Sequence, residues 1–152
     1  MVTTNTQRHW LASQLDQLDA LARERDRRAG AASRGEVDEA SARLAREDFL
    51  RALDTFVLEV ATREGVVGCV VGHEGLVLAS GGTPPDADTL AAVGQVWLDA
   101  ATQGAGQLGL GGMSQLVVIG DQYKVALFQT GGMSIAILAH ATAELASVLA
   151  RG

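Results

Sequence analysis

Few side chains in this sequence could do chemistry of their own, and none has the neighbours that such chemistry needs. His9, His73 and His140 are the imidazoles, Cys69 the lone thiol, and Glu74 the carboxylate beside His73. A zinc site asks for several such ligands at short, fixed spacings, and a nucleophile asks for a base within hydrogen-bond reach. Neither pattern is present: the histidines are scattered, with no Cys or Glu at ligand spacing, and no Ser, Cys or Asp stands in a nucleophile-and-base arrangement. His73-Glu74 falls in a glycine-bounded turn, where solvated polar side chains usually sit. Cys69 lies in a valine-rich run and reads as a small buried hydrophobe. Gly104 to Ser114, GAGQLGLGGMS, lacks the Lys of a phosphate-binding loop and leads into a strand-like run. No catalytic residue, metal or cofactor is therefore expected, and any effect on a reaction should come through shaping another protein's active site.

The composition narrows the partners. A chain of 152 residues with 47% hydrophobic residues suits one core, and folding at this size buries about 70% of the extended-chain surface. The net charge of −6 argues against binding nucleic acid through phosphates. With no long uninterrupted apolar stretch, no basic-then-apolar start and one unpaired cysteine, neither a membrane span nor a signal peptide is expected, and the expected address is cytoplasmic. Charge is unevenly spread. Residues 1–64 hold ten Lys+Arg and twelve Asp+Glu, leaving Lys124, Arg151 and six acids for residues 65–152. Eight charges in 88 residues fall well below the usual share of about 25%, so much of that surface should be buried in a partner.

The elements follow from periodicity. Leu11, Leu15, Leu18 and Ala22, widened by Trp10 and Leu21, predict an amphipathic helix over Thr6 to Arg28, with Arg23 to Arg28 as a solvated face of alternating sign. Ala29 to Gly35 should break it, and Ser33 with Glu36 has the spacing of a capping box. A second helix is expected from Glu36 to about Glu64, with Phe49, Leu53, Phe56, Val57 and Val60 on the packed side. Its roughly 43 Å exceeds a module about 30 Å across, so it should overhang or break near Glu47. Gly65 to Gly82, GVVGCVVGHEGLVLASGG, reads as a β-hairpin covered on both faces and placed inside a sheet, away from its edge. Thr83 or Asp86 starts a third helix, to Gln103, whose apolar residues include Leu90, Val93, Val96, Trp97 and Leu98 and girdle it. One face should meet the sheet and the other a second subunit or protein. Gln115 to Ile119, Tyr123 to Thr130 and Met133 to Ala139 are strands whose short links force antiparallel neighbours. Thr142 can cap a last helix with Leu145, Val148 and Leu149 inward.

That order, read with Gly65-Val66-Val67-Gly68, Glu74 to Ser80, Asp88-xx-Ala91-Ala92, Leu108-Gly109-Leu110-Gly111 and Val117-Val118-Ile119, resembles the roadblock/LC7 family, bacterial MglB-like members in particular. The resemblance covers about residues 49–152. It implies an α+β fold for that part, a five-stranded antiparallel sheet in an α/β/α sandwich, to which the periodicity adds an N-terminal helical extension over 1–48. It also implies homodimers joined through the third strands and middle helices, which puts Leu90, Val93, Val96, Trp97, Ala101, Leu116 and Val118 at a dimer or partner interface. MglB-like proteins act on small Ras-like GTPases of the MglA type, as GTPase-activating or scaffolding partners, and related actinobacterial proteins accompany a sensor kinase and a GTPase. The implied role is thus a non-catalytic homodimeric GTPase regulator. The alternative class is a self-assembling structural or signalling scaffold without a GTPase. The long helical start departs from a minimal member and suggests an additional N-terminal contact.

Overall fold

The structure is a computed structural model that describes residues 9–150. Its elements are α1 (His9–Ser33), α2 (Glu39–Ala61), β1 (Val66–His73), β2 (Leu76–Gly82), α3 (Ala87–Gln107), β3 (Gln115–Ile119), β4 (Tyr123–Thr130), β5 (Met133–His140) and α4 (Leu145–Val148). The strands form one antiparallel sheet in the order β2-β1-β5-β4-β3. Helices α2 and α1 cover one face and α3 the other. The α/β/α sandwich is therefore the one the resemblance implied.

Both faces are apolar because both are covered. On the α1/α2 side, Cys69, Val71, Ala126, Phe128, Met133, Ile135 and Ile137 pack with Phe49, Leu53, Phe56, Val57 and Val60. On the α3 side, Val125, Leu127 and Ala136 pack on Leu98. Two hairpins have two-residue loops with positive φ at both positions, Glu74-Gly75 and Gly131-Gly132, the turn whose twist matches that of paired strands. Beside the first, the chain is packed so closely that a Cβ on Gly81 would lie 2.7 Å from the Val57 carbonyl carbon, backbone on backbone.

Several element boundaries differ from those expected. The hairpin is half interior: β1 is central, but β2 is an edge strand. Helix α1 runs on through Ala29 to Ser33 because Ala31 is buried, while the expected start at Thr6 lies outside the described residues. The Ser33–Glu36 capping box does not form. Ser33 donates to the Ala29 carbonyl, Glu36 pairs with Arg34, and Asp38 caps α2 by accepting from the Ser41 N–H at 2.8 Å. Helix α2 is unbroken at Glu47, and its 23 residues are about 35 Å long. Helix α3 continues through Gly104 to Gln107, since Ala105 still packs inward. Thr142 caps nothing; α4 is one short turn with no side-chain cap, held where the Arg63 guanidinium donates to the Val148 carbonyl at 2.5 Å. The same guanidinium lies 3.6 Å over the Trp10 ring and so ties the two ends of the chain together.

The charge run on α1 is a solvated face. Arg27 and Arg28 hold the Glu24 carboxylate at 2.7 and 2.6 Å, Arg27 first among the causes that lower its pKa to about 2. Such exposed pairs contribute little to stability. The apolar stripe matters more. Leu11, Leu18 and Ala22 are buried in the same core as Phe49, and the expected division at 48/49 falls inside α2. Replacing Leu18, 3% exposed, by Ala is expected to cost about 2–5 kcal/mol in urea unfolding; a loss below about 0.5 kcal/mol would make α1 an accessory. Gly81→Ala is expected to cost about 1–3 kcal/mol, because the added methyl meets backbone that cannot step aside, and an unchanged midpoint would contradict that close approach.

Candidate functional site

Helix α3 is turned against the usual sense of an amphipathic helix. Ala91, Gly94, Leu98 and Ala105 face the sheet, and a Cβ on Gly94 would sit 3.2 Å from a Leu127 methyl. Small residues are inward because they let the helix approach closely. Apart from Leu98, most of the bulky ones are left outside: Val96 is 64% exposed, Trp97 41%, and Val93 is also exposed. The N-terminus of α3 is fixed by Asp86, which accepts from the Thr89 N–H at 3.0 Å and its hydroxyl at 2.7 Å. Those hydrogen bonds, the hydroxyl's foremost, lower the Asp86 pKa. After Asp88, Asp99 is the one charge on α3, and Gln95 donates to it at 2.9 Å.

Strand β3 lies at the other edge of the sheet, paired only with β4, so one row of its backbone N–H and C=O groups has no strand partner among the described residues. Such an edge is a template for another strand. Its side chains are apolar on both faces. Leu116 and Val118 point to the α3 side, where Leu116 packs beside Leu98 and Val118 is exposed. Val117 and Ile119 point to the α1 side; Ile119, opposite Lys124, is 70% exposed. There they line a groove of about 540 Å³ with Leu11, Leu15, Phe128 and Leu149, which α1 and the single turn of α4 leave open.

Of the residues expected at an interface, Val93, Val96, Trp97 and Val118 therefore lie exposed along the α3–β3 border. Leu90 and Leu116 are half-buried against the Leu98 cluster, and Ala101 is half-buried on α3. Val117, Ile119, Tyr123 and the connector leucines Leu108 and Leu110, none of which the sequence assigned to an interface, are exposed as well. The leucines stand between glycines, a signal that was there to use.

The titratable groups do not converge. Among the described residues no three of His, Cys, Asp and Glu come together as a metal would need, and no helix is long and apolar enough to cross a membrane. His73 lies 3.0 Å from the Gly132 carbonyl, and His140 stacks on Tyr123. The His9 side chain lies outside the described residues. Cys69 is buried, and burial pushes its thiol pKa up, away from the reactive thiolate.

Comparison with known proteins places this geometry. The chain matches the Roadblock/LC7 domain over residues 53–139. Two uncharacterised proteins of Methanocaldococcus jannaschii are 31% identical over 97 residues, 61% of this chain and 83% of theirs. A crystal structure of a Roadblock/LC7 domain from Streptomyces avermitilis is 26% identical, with a TM-score of 0.59 over 64% of this chain and 85% of that one. Myxococcus xanthus MglB, 13% identical, shares the fold with a TM-score of 0.59 over 65% of this chain and 77% of its own. Match, sheet order and helix placement agree, and the chain belongs to the roadblock/LC7 family.

Proposed function

We propose that this protein works as a homodimer and that the dimer is a regulatory or scaffolding partner of a small Ras-like GTPase of the MglA type. The observation that carries the reading is that the outward face of α3 and the unpaired edge of β3 both expose apolar residues and carry almost no charge. A free monomer would expose Val93, Val96, Trp97, Val117, Val118 and Ile119 to water. Antiparallel pairing of β3 with β3 of a second copy satisfies the edge and makes one ten-stranded sheet. The two α3 helices then lie side by side on one face, with Trp97 as the aromatic anchor between them. The interface residues of this dimer are Leu90, Val93, Val96, Trp97, Ala101, Leu116 and Val118.

The step to a GTPase rests on the family and on the fold shared with MglB, together with a site that has no catalytic constellation among its described residues. A non-catalytic partner of this kind would act on turnover by presenting a shaped, rigid surface. The fused sheet and paired helices provide one.

Two measurements test this. Trp97→Ala is expected to weaken self-association by about 2 kcal/mol or more while the unfolding midpoint of the monomer barely moves, because Trp97 packs in neither core cluster; an unchanged dimer constant removes Trp97 from the interface. Size exclusion with a small GTPase of the MglA type is expected to show coelution with its GTP form, and GTP turnover with and without this protein then separates activation from holding. Absence of coelution with either nucleotide form favours a self-assembling scaffold without a GTPase.

A further inference from the structure

The connector between α3 and β3 is the most exposed apolar segment near this border, and it is not slack. Leu108 and Leu110 are 75% and 71% exposed. The Gly109 N–H donates to the Gly106 carbonyl at 3.1 Å and the Leu110 N–H to the Ala105 carbonyl at 2.9 Å, with Gly109 at φ +69°. This paired 5→2 and 6→1 pattern is the Schellman motif, and the apolar residue just beyond the glycine normally folds back onto the last helical turn. Leu110 occupies that position, yet its side chain stays in solvent. The backbone thus fixes two leucines in an outward pose, a preorganised contact that meets no partner among the described residues.

We infer that this hook belongs to the self-association surface, and that each copy seats its Leu108 and Leu110 on Val118 and Tyr123 of the other. The inference rests on the dimer proposed above and adds to it a contact outside α3 and β3. In an antiparallel pair of identical strands, the start of one lies beside the end of the other, whichever central residue sits on the two-fold axis. Four residues separate Leu110 from Gln115, where β3 begins, and β3 ends at Ile119 before the chain turns back through Gly120 to Tyr123. The connector of one copy therefore overhangs the β3–β4 turn of its mate. It leaves from the α3 layer, so it meets the residues that point to that side. These are Val118 and Tyr123, both exposed, the latter backed by His140 with ring centroids 5.6 Å apart. A stacked aromatic beside a β-branched side chain is a firm apolar seat for two leucines.

The test uses the full chain. Sedimentation of the wild type fixes the dimer constant, and the double substitution Leu108→Ser, Leu110→Ser is expected to weaken it about tenfold or more with an unchanged melting curve. The same change at Leu76, equally exposed at a distant hairpin, should leave association alone. Chains carrying Leu110→Cys mixed with chains carrying Tyr123→Cys should cross-link through a short bismaleimide, while either variant alone should not. If the wild type is monomeric, the dimer reading itself falls. If it dimerises and the double substitution leaves the constant unchanged, or the mixed variants fail to cross-link, the hook is refuted and the dimer stands.

Discussion

The unpaired backbone edge of β3 is the constraint on which the rest of the account depends. A sheet with the order β2-β1-β5-β4-β3 must end in two edges, and the two are treated differently. The second half of the β2 edge, Ala79 to Gly82, carries small residues, with Gly81 pressed against the α2 backbone and Gly82 turned to φ +79°, so the strand stops under a helix. The β3 edge carries Val117, Val118 and Ile119, all exposed, and no helix among the described residues covers it. Charges, prolines or bulges are the usual defences of an edge. β3 has none of them, and its register with β4 is regular from Gln115 to Ile119.

The orientation of α3 follows the same logic. Burying Trp97 against the sheet would give its own domain more apolar contact, yet Ala91 and Gly94 hold that position and bring the helix axis closer to the strands. The chain thereby gives up core volume and keeps its largest aromatic for an outer surface. That choice makes sense when the outer surface is itself destined to be buried. The scarcity of charge after residue 64 points the same way.

Much of this was legible in the sequence, because the strands and α3 are apolar enough to be read from pattern alone. The face of α3 was not. A helix apolar all round has no polar side to declare what is out, and only packing shows that its small residues lie inward. Helix ends were read least well, for reasons that differ from one to the next. Gly104 and Gly106 each cost about 1 kcal/mol in a helix, a penalty outweighed once Ala105 is buried. Ser33 has the right spacing to cap, but it remains helical since Ala31 finds a buried site. The part of α1 in the core could not be inferred from its stripe, since an apolar stripe states that a helix packs but not against what.

Amide hydrogen exchange along β3 tests the central claim most directly. Alternate N–H groups of this strand point to β4 and the others point outward, so a dimer joined at this edge should slow both sets. The account predicts that the outward set of Gln115–Ile119 is protected at high protein concentration and loses that protection on dilution, while the inward set keeps its own. Outward amides that exchange freely at every concentration, in a protein that sediments as a dimer, would place the interface elsewhere and contradict the account.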